Sequence, residues 1–92
     1  FPAVNRDLTV KIAEDKTFAS VENAILEVLK RQPSLFFHLT ATSIYQAEGA
    51  DTKNLSFHLN FASTEKTLLS EEISAIMNSI NQSLEKIGGE II

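Results

Sequence analysis

Few side chains in this sequence could carry out bond-making chemistry. Cysteine is absent, which removes thiol catalysis, disulfides and cysteine-ligated zinc. The histidines are His38 and His58. If their strands pair through a turn near Ala50 and Asp51, His38 falls about five residues from the position opposite His58, roughly 17 Å at ~3.4 Å per residue. A catalytic zinc needs three protein ligands, and no third accompanies them, so no metal is expected. Glu71 and Glu72 follow Ser70 directly. That is the composition of a helix start, where a hydroxyl caps an orphan N–H and carboxylates answer the positive end of the helix dipole, so capping is preferred over acid–base work. There is no glycine-rich phosphate loop, nucleophile elbow or Ser-His-Asp arrangement. Catalysis by this chain alone is not expected.

What remains is suited to binding. Thr9 and Lys11 on one strand, Ser56, His58 and Asn60 on another, and Ser43 and Tyr45 on a third can share one sheet face. In the register above, Tyr45 stands opposite Ser56 and Ser43 opposite His58. Sheets that read RNA stack bases on exposed aromatics and hydrogen-bond their edges, and this face has that chemistry in sparse form. The competing reading is an ordinary solvated surface, because the aromatic pair and basic rim of a self-sufficient RNA module are missing. A net charge of −4 also argues against a free-standing nucleic-acid binder, since lysine and arginine supply most of the backbone affinity.

The elements that must position these residues follow from periodicity. Asp7 to Ile12 alternates, with Leu8, Val10 and Ile12 on one side and Asp7, Thr9 and Lys11 on the other, the signature of a half-buried strand. Thr17 is a helix N-cap, and Phe18, Val21, Ile25, Val28 and Leu29 form the apolar stripe of the helix behind it. Lys30 and Arg31 suit the negative end of that helix, and Pro33 stops it. Leu35 to Ala47 is a second strand whose apolar parity changes midway, which a bulge near Ala41 and Thr42 would explain. Asn54 to Phe61 alternates cleanly, with Leu55, Phe57, Leu59 and Phe61 inward, and closes an antiparallel hairpin with the second strand. Ser70 starts a second helix whose stripe is Ile73, Ile76, Met77, Ile80, Leu84 and Ile87. Gly88 and Gly89 end it, and "GEII" is a short last strand.

The order strand, helix, strand, strand, helix, strand predicts an α+β, ferredoxin-like split βαβ sandwich (βαββαβ). Its four-stranded antiparallel sheet carries both helices on one face and leaves the other open. Ninety-two residues with 43% apolar and 22% charged side chains fit a single domain over residues 1–92 with one core. No apolar run approaches the roughly 20 residues of a bilayer span, so a soluble protein without a membrane partner is expected, and the lack of cysteines, where a small secreted domain would often carry bridges, favours a cytoplasmic one. Phe1-Pro2 is neither an initiator nor a leader, and we read it as the edge of a domain cut from a longer polypeptide.

Several stretches stand together in a family order. "FPAVNRDLTV" resembles the opening Phe-Pro and Arg-Asp signature of the ferredoxin-fold anticodon-binding domain found at the C-terminus of bacterial phenylalanyl-tRNA synthetase beta subunits. "IYQAEG" is similar to that family's tyrosine-bearing second strand, "KNLSFHLNF" to its third, and "TLLSEEI" to the start of its second helix. The resemblance spans almost the whole chain. It implies a tRNA-contacting accessory domain for the anticodon region of a phenylalanine-accepting tRNA, within an alpha2beta2 enzyme whose alpha subunit performs the charging with ATP and magnesium; no cofactor is implied for this domain. By position it matches Arg6 and Asp7, Tyr45 and Lys53 to family residues, as RNA contacts or as local structure such as an ion pair from the first strand to a neighbouring loop. Ser43 stands where the family usually has an acid, and His58, Ala62 and the final isoleucines stand where it often has arginine.

Two other classes compete. A protein–protein docking module would use the open face or the sheet edges. A small-ligand regulatory domain of the same topology would want a glycine-rich turn after the first strand, and "AEDKT" has none.

Overall fold

The computed structural model describes residues 2–92, so the reading of Phe1 as a domain edge lies outside the described residues. Along the chain run β1 (Val4–Ala13), α1 (Phe18–Lys30), β2 (Leu35–Tyr45), β3 (Thr52–Ser63), α2 (Ser70–Glu85) and β4 (Glu90–Ile91). The sheet order is β2-β3-β1-β4 with every pair antiparallel, the ferredoxin-like arrangement the periodicity predicts.

Each element follows from its sequence. Leu8, Val10 and Ile12 are buried while the residues between them turn to the other face. Thr17 caps α1, its hydroxyl oxygen accepting the Ser20 N–H at 3.1 Å, and Val21, Ala24, Ile25, Val28 and Leu29 form the buried stripe. The Phe18 ring stacks on Phe57 with centroids 5.5 Å apart, fixing the start of α1 over the centre of β3. From α2, Ile76, Ile80 and Leu84 are buried and Ile73 and Met77 partly so, as is Ile87 in the turn just past the helix end. The core closes between these two helices and the side chains Leu55, Phe57, Leu59 and Phe61 of β3, all at most 1% exposed. Every large apolar group of that core is supplied by the chain itself.

Two expectations are corrected. Ser70 does not cap α2. It is already helical, and Leu69 holds the N-cap position. Leucine offers no side-chain acceptor, so the cap is one-sided: Glu72 Oε1 accepts the Leu69 N–H at 3.0 Å, the half of a capping box that needs only an acid at the third helical position.

The hairpin register also differs. The turn closes at Ala47–Ala50, where the Ala50 N–H reaches Ala47 O at 3.0 Å and Gly49 takes φ 77, the left-handed position that a turn of this kind reserves for glycine. β2 therefore ends at Tyr45, short of the expected Ala47. Because the strands run in opposite directions, moving the turn centre back one residue moves the register by two. Tyr45 faces Asn54, Ser43 faces Ser56 and Thr40 faces His58. The expected bulge is present between Ala41 and Ser43, and Thr42 is the extra residue.

The register shift alters the histidine geometry. His38 stands opposite Asn60, so it is a diagonal neighbour of His58 on the same face, with Cα atoms on the order of 7–8 Å apart, and the 17 Å separation does not hold. Among the described residues no group of three or more His, Cys, Asp or Glu side chains is placed to hold a metal ion.

Candidate nucleic-acid interface

The two helices cover one side of the sheet, and the register pairs assign the residues of the other. β1 contributes Asn5, Asp7, Thr9 and Lys11, which face Asn60, His58, Ser56 and Asn54 of β3. β2 adds Phe36, His38, Thr40, Ser43 and Tyr45, facing Ala62, Asn60, His58, Ser56 and Asn54. Eight of the sequence candidates therefore meet on this face: Asp7, Thr9, Lys11, Ser43, Tyr45, Ser56, His58 and Asn60.

Arg6 does not join them. It faces Leu59 and shares the parity of Val4 and Leu8, so its exposed side chain lies on the helix side, where Nη1 donates to Asn5 O at 2.9 Å. Adjacent strand residues point to opposite faces, so Arg6 and Asp7 cannot act at one place on the sheet. Among the described residues Asp7 makes no ion pair to a neighbouring loop: its carboxylate oxygen Oδ1 lies 2.6 Å from Nδ1 of the strand neighbour His58, a hydrogen bond across the β1–β3 pair. Lys53 has helix-side parity, opposite Ile12, yet its place at the end of the sheet lets it border the open face.

At that end a shallow hollow of about 270 Å³ is lined by Lys11, Tyr45, Ala50, Lys53, Asn54 and Ile92 among others. Tyr45, one of the residues lining it, is 64% exposed. Among the described residues neither Lys11 nor Lys53 has a carboxylate partner within ion-pair distance. Two unneutralised ammonium groups beside an exposed phenol suit a phosphate chain and a stacked base. In the middle of the face the Thr9 and Ser56 hydroxyls bond to each other at 2.9 Å. Beyond them, Asn5, Asp7, His58 and Asn60 form a hydrogen-bonded group.

Sequence reasoning missed Asn5, Asn54 and the exposed Phe36. Asn5 precedes the strand start inferred from alternation, and Asn54 needed the true hairpin register. Phe36 could have been found, since its parity is opposite to that of Leu35, Phe37 and Leu39. Another hollow, about 400 Å³ between the α1–β2 turn and the start of α2, includes none of the candidates. It does hold the Lys66–Glu72 pair, Nζ to Oε2 2.7 Å. The Lys66 hydrogen bond and then the Leu69 N–H draw the Glu72 carboxyl below its ordinary value.

No helix of the described residues is long and apolar enough to cross a membrane. Comparison with known proteins adds kinship. The model of the ferredoxin-fold anticodon binding domain matches residues 1–91. Among curated proteins, the chain is similar to the phenylalanine–tRNA ligase beta subunits of Salinibacter ruber, 33% identical over 97% of this chain, and of Symbiobacterium thermophilum, 30% identical over 99%. That of Halalkalibacterium halodurans is 30% identical over 100% of the chain. The chain spans 10%, 10% and 11% of those relatives respectively.

Proposed function

The chain belongs to the ferredoxin-fold anticodon binding domain family, and from that membership we propose that its open sheet face contacts the anticodon region of a phenylalanine-accepting tRNA. In this reading it is an accessory domain at the C-terminus of a phenylalanine–tRNA ligase beta subunit, working in the cytoplasm with an alpha subunit in an alpha2beta2 enzyme. The charging step, with its ATP and magnesium, belongs to that alpha subunit. This domain's part is to bind and orient the tRNA.

One observation carries the reading: Lys11, Tyr45 and Lys53, from three different segments, converge on one hollow at the end of the open face. An unpaired base can lie on the phenol ring while flanking phosphates meet the ammonium groups. The net charge of −4 limits the affinity of the domain by itself. Within a larger enzyme that deficit matters less, because a linked site acts at an effective concentration on the order of millimolar.

The test is a titration of the chain with a phenylalanine tRNA anticodon stem-loop at low and moderate salt, followed by amide chemical shifts. Shifts confined to β1, β2 and β3 residues of the open face, lost in Tyr45→Ala, are expected. An absence of binding at both salt concentrations would overturn the assignment.

One observation favours docking of a protein instead. The outer strand β2, "LFFHLTATSIY", carries no charged residue, and Phe36, Ile44 and Tyr45 are 66%, 63% and 64% exposed. An uncharged edge strand is a template for strand addition. Under that reading the shifts would follow β2 and leave Lys11 unmoved.

A further inference from the structure

On the half of the open face away from Tyr45, four side chains of β1 and β3 are tied into one network. His58 Nδ1 stands 2.6 Å from Asp7 Oδ1 and His58 Nε2 3.2 Å from Asn5 Oδ1. Asn60 Nδ2 donates to the same Asn5 Oδ1 at 2.7 Å. Asn5 and Asn60 face each other directly, as do Asp7 and His58, so the imidazole bridges diagonally from one pair to the other.

Among the described residues, Asn5 Nδ2 and Asn60 Oδ1 take part in no hydrogen bond. In the tautomer whose Nδ1–H donates to Asp7 and whose Nε2 carries no hydrogen, the Asn5 amide turns over to donate to Nε2, the Asn60 amide turns with it, and Asn5 Oδ1 and Asn60 Nδ2 become the unused groups. In either state the two amides present one donor beside one acceptor, about 5 Å apart at their Cβ atoms.

We propose that the Asn5–Asn60 amide pair is a base-reading site that takes the hydrogen-bonding edge of one unpaired nucleobase, with Asp7 and His58 as positioning residues. The proposal rests on the reading of this face as an RNA surface and adds to it a specificity-determining residue, Asn5. Side-chain amides recognise bases by such paired donor and acceptor contacts, and unpaired RNA bases offer edges on which donors and acceptors alternate. An Asn5 amide held by His58 and an Asn60 amide held by Asn5 lose less freedom on binding than solvated ones. Asn54, facing Tyr45, and Asn60 are far enough apart along β3, about 20 Å at ~3.3 Å per residue, that stacking at Tyr45 and reading at Asn5 engage different nucleotides.

The 92-residue chain, whose core closes within itself, is titrated by fluorescence anisotropy with the anticodon stem-loop and with loops in which each base is replaced in turn. Asn5→Ala is expected to weaken the parent loop roughly tenfold and to make it indistinguishable from one replaced loop, with no change in salt dependence. Asn60→Ala repeats the effect at the opposite strand. His58→Ala blurs the same discrimination although both amides remain, and His58→Gln, which can bond on both sides, recovers part of it. If both asparagine variants keep the ranking of loops, or weaken all loops equally, the base-reading site is overturned. If in that case Tyr45→Ala still weakens binding, the RNA surface itself stands. If the unaltered chain binds no loop, the RNA reading fails and this one with it.

Discussion

Thr9 Oγ1 and Ser56 Oγ lie 2.9 Å apart across the β1–β3 pair, and this single bond divides the open face into its tyrosine end and its asparagine end. Both residues are half-buried and directly opposed, so each hydroxyl satisfies the other as the strands pack. Thr9→Val and Ser56→Ala are each expected to cost about 0.5–1.5 kcal/mol of stability. The double variant should lose less than the sum, because removing both partners leaves neither unsatisfied. Denaturant unfolding of the four proteins in a double-mutant cycle measures the coupling. Additive losses would mean that the bond is not formed in solution.

The two lysines of the hollow should be separable from the ring they flank. Each neutralised phosphate on a single strand contributes about 0.7 to the slope of log affinity against log salt. Lys11→Ala and Lys53→Ala should each lower that slope by roughly this amount without changing which loop is preferred. Tyr45→Ala should instead cost about 1–3 kcal/mol of binding, the worth of one stacked base, with the slope retained, while Tyr45→Phe keeps most of the affinity. Anisotropy titrations across a salt series read both quantities. A slope unchanged in both lysine variants would remove phosphate contact from the hollow.

The layers of this molecule were legible in its sequence because burial enforces period. Leu8, Val10 and Ile12 or Ile76, Ile80 and Leu84 repeat at the spacing of their element, and a slip would expose all of them. The parity change in β2 even revealed the bulge at Thr42. Less legible was whatever depends on a turn. Nothing apolar distinguishes Ala47–Ala50 from Ala50–Asp51 as the place of reversal, and that one residue decides whether Tyr45 faces Ser56 or Asn54. The open face is assembled from such cross-strand pairs, so its membership was largely predictable while its neighbours were not. Asn5 escaped notice for a related reason: Val4 pairs with Phe61, but a single apolar residue before the polar Asn5-Arg6-Asp7 run carries no visible period.

Gly88 and Gly89 end α2 for different reasons, which predicts different responses to substitution. Gly88 has φ 81, and a Cβ there would meet nothing within 4 Å. Its requirement is conformational, so Gly88→Ala should cost about 1 kcal/mol and Gly88→Asn less, since asparagine tolerates the left-handed region. Gly89 needs space: a Cβ would stand 3.2 Å from both Leu84 O and Val10 Cγ1. Leu84 O is held in place by the Gly89 N–H at 2.8 Å, and Val10 is fully buried, so neither can yield easily. Gly89→Ala should cost about 1–3 kcal/mol as an overpacking effect, with Gly89→Asn no better. Equal rescue by asparagine at both positions in thermal melts would contradict this distinction.

The start of α2 should carry a pH signature of its own. Glu72 accepts the Leu69 N–H through Oε1 and pairs with Lys66 through Oε2, and both contacts favour its charged form. Its folded carboxyl is therefore lowered from the ordinary 4.5, the Lys66 hydrogen bond being the largest cause. A group lowered on folding lends stability that is fully present above its unfolded value and is lost as pH falls through the folded one. Glu72→Gln can still accept the Leu69 N–H but cannot attract Lys66. At pH 7 the variant should melt below the parent protein, and the gap should close as pH drops below 4.5 and Glu72 of the parent takes up its proton. Lys66→Met should reproduce the loss at pH 7. In Glu72→Gln the second change should then add little, because the ion pair is already gone. Melting curves of the four proteins at pH 7 and in the acid range make the comparison; a gap independent of pH would mean that the charge of Glu72 is not the source of the loss.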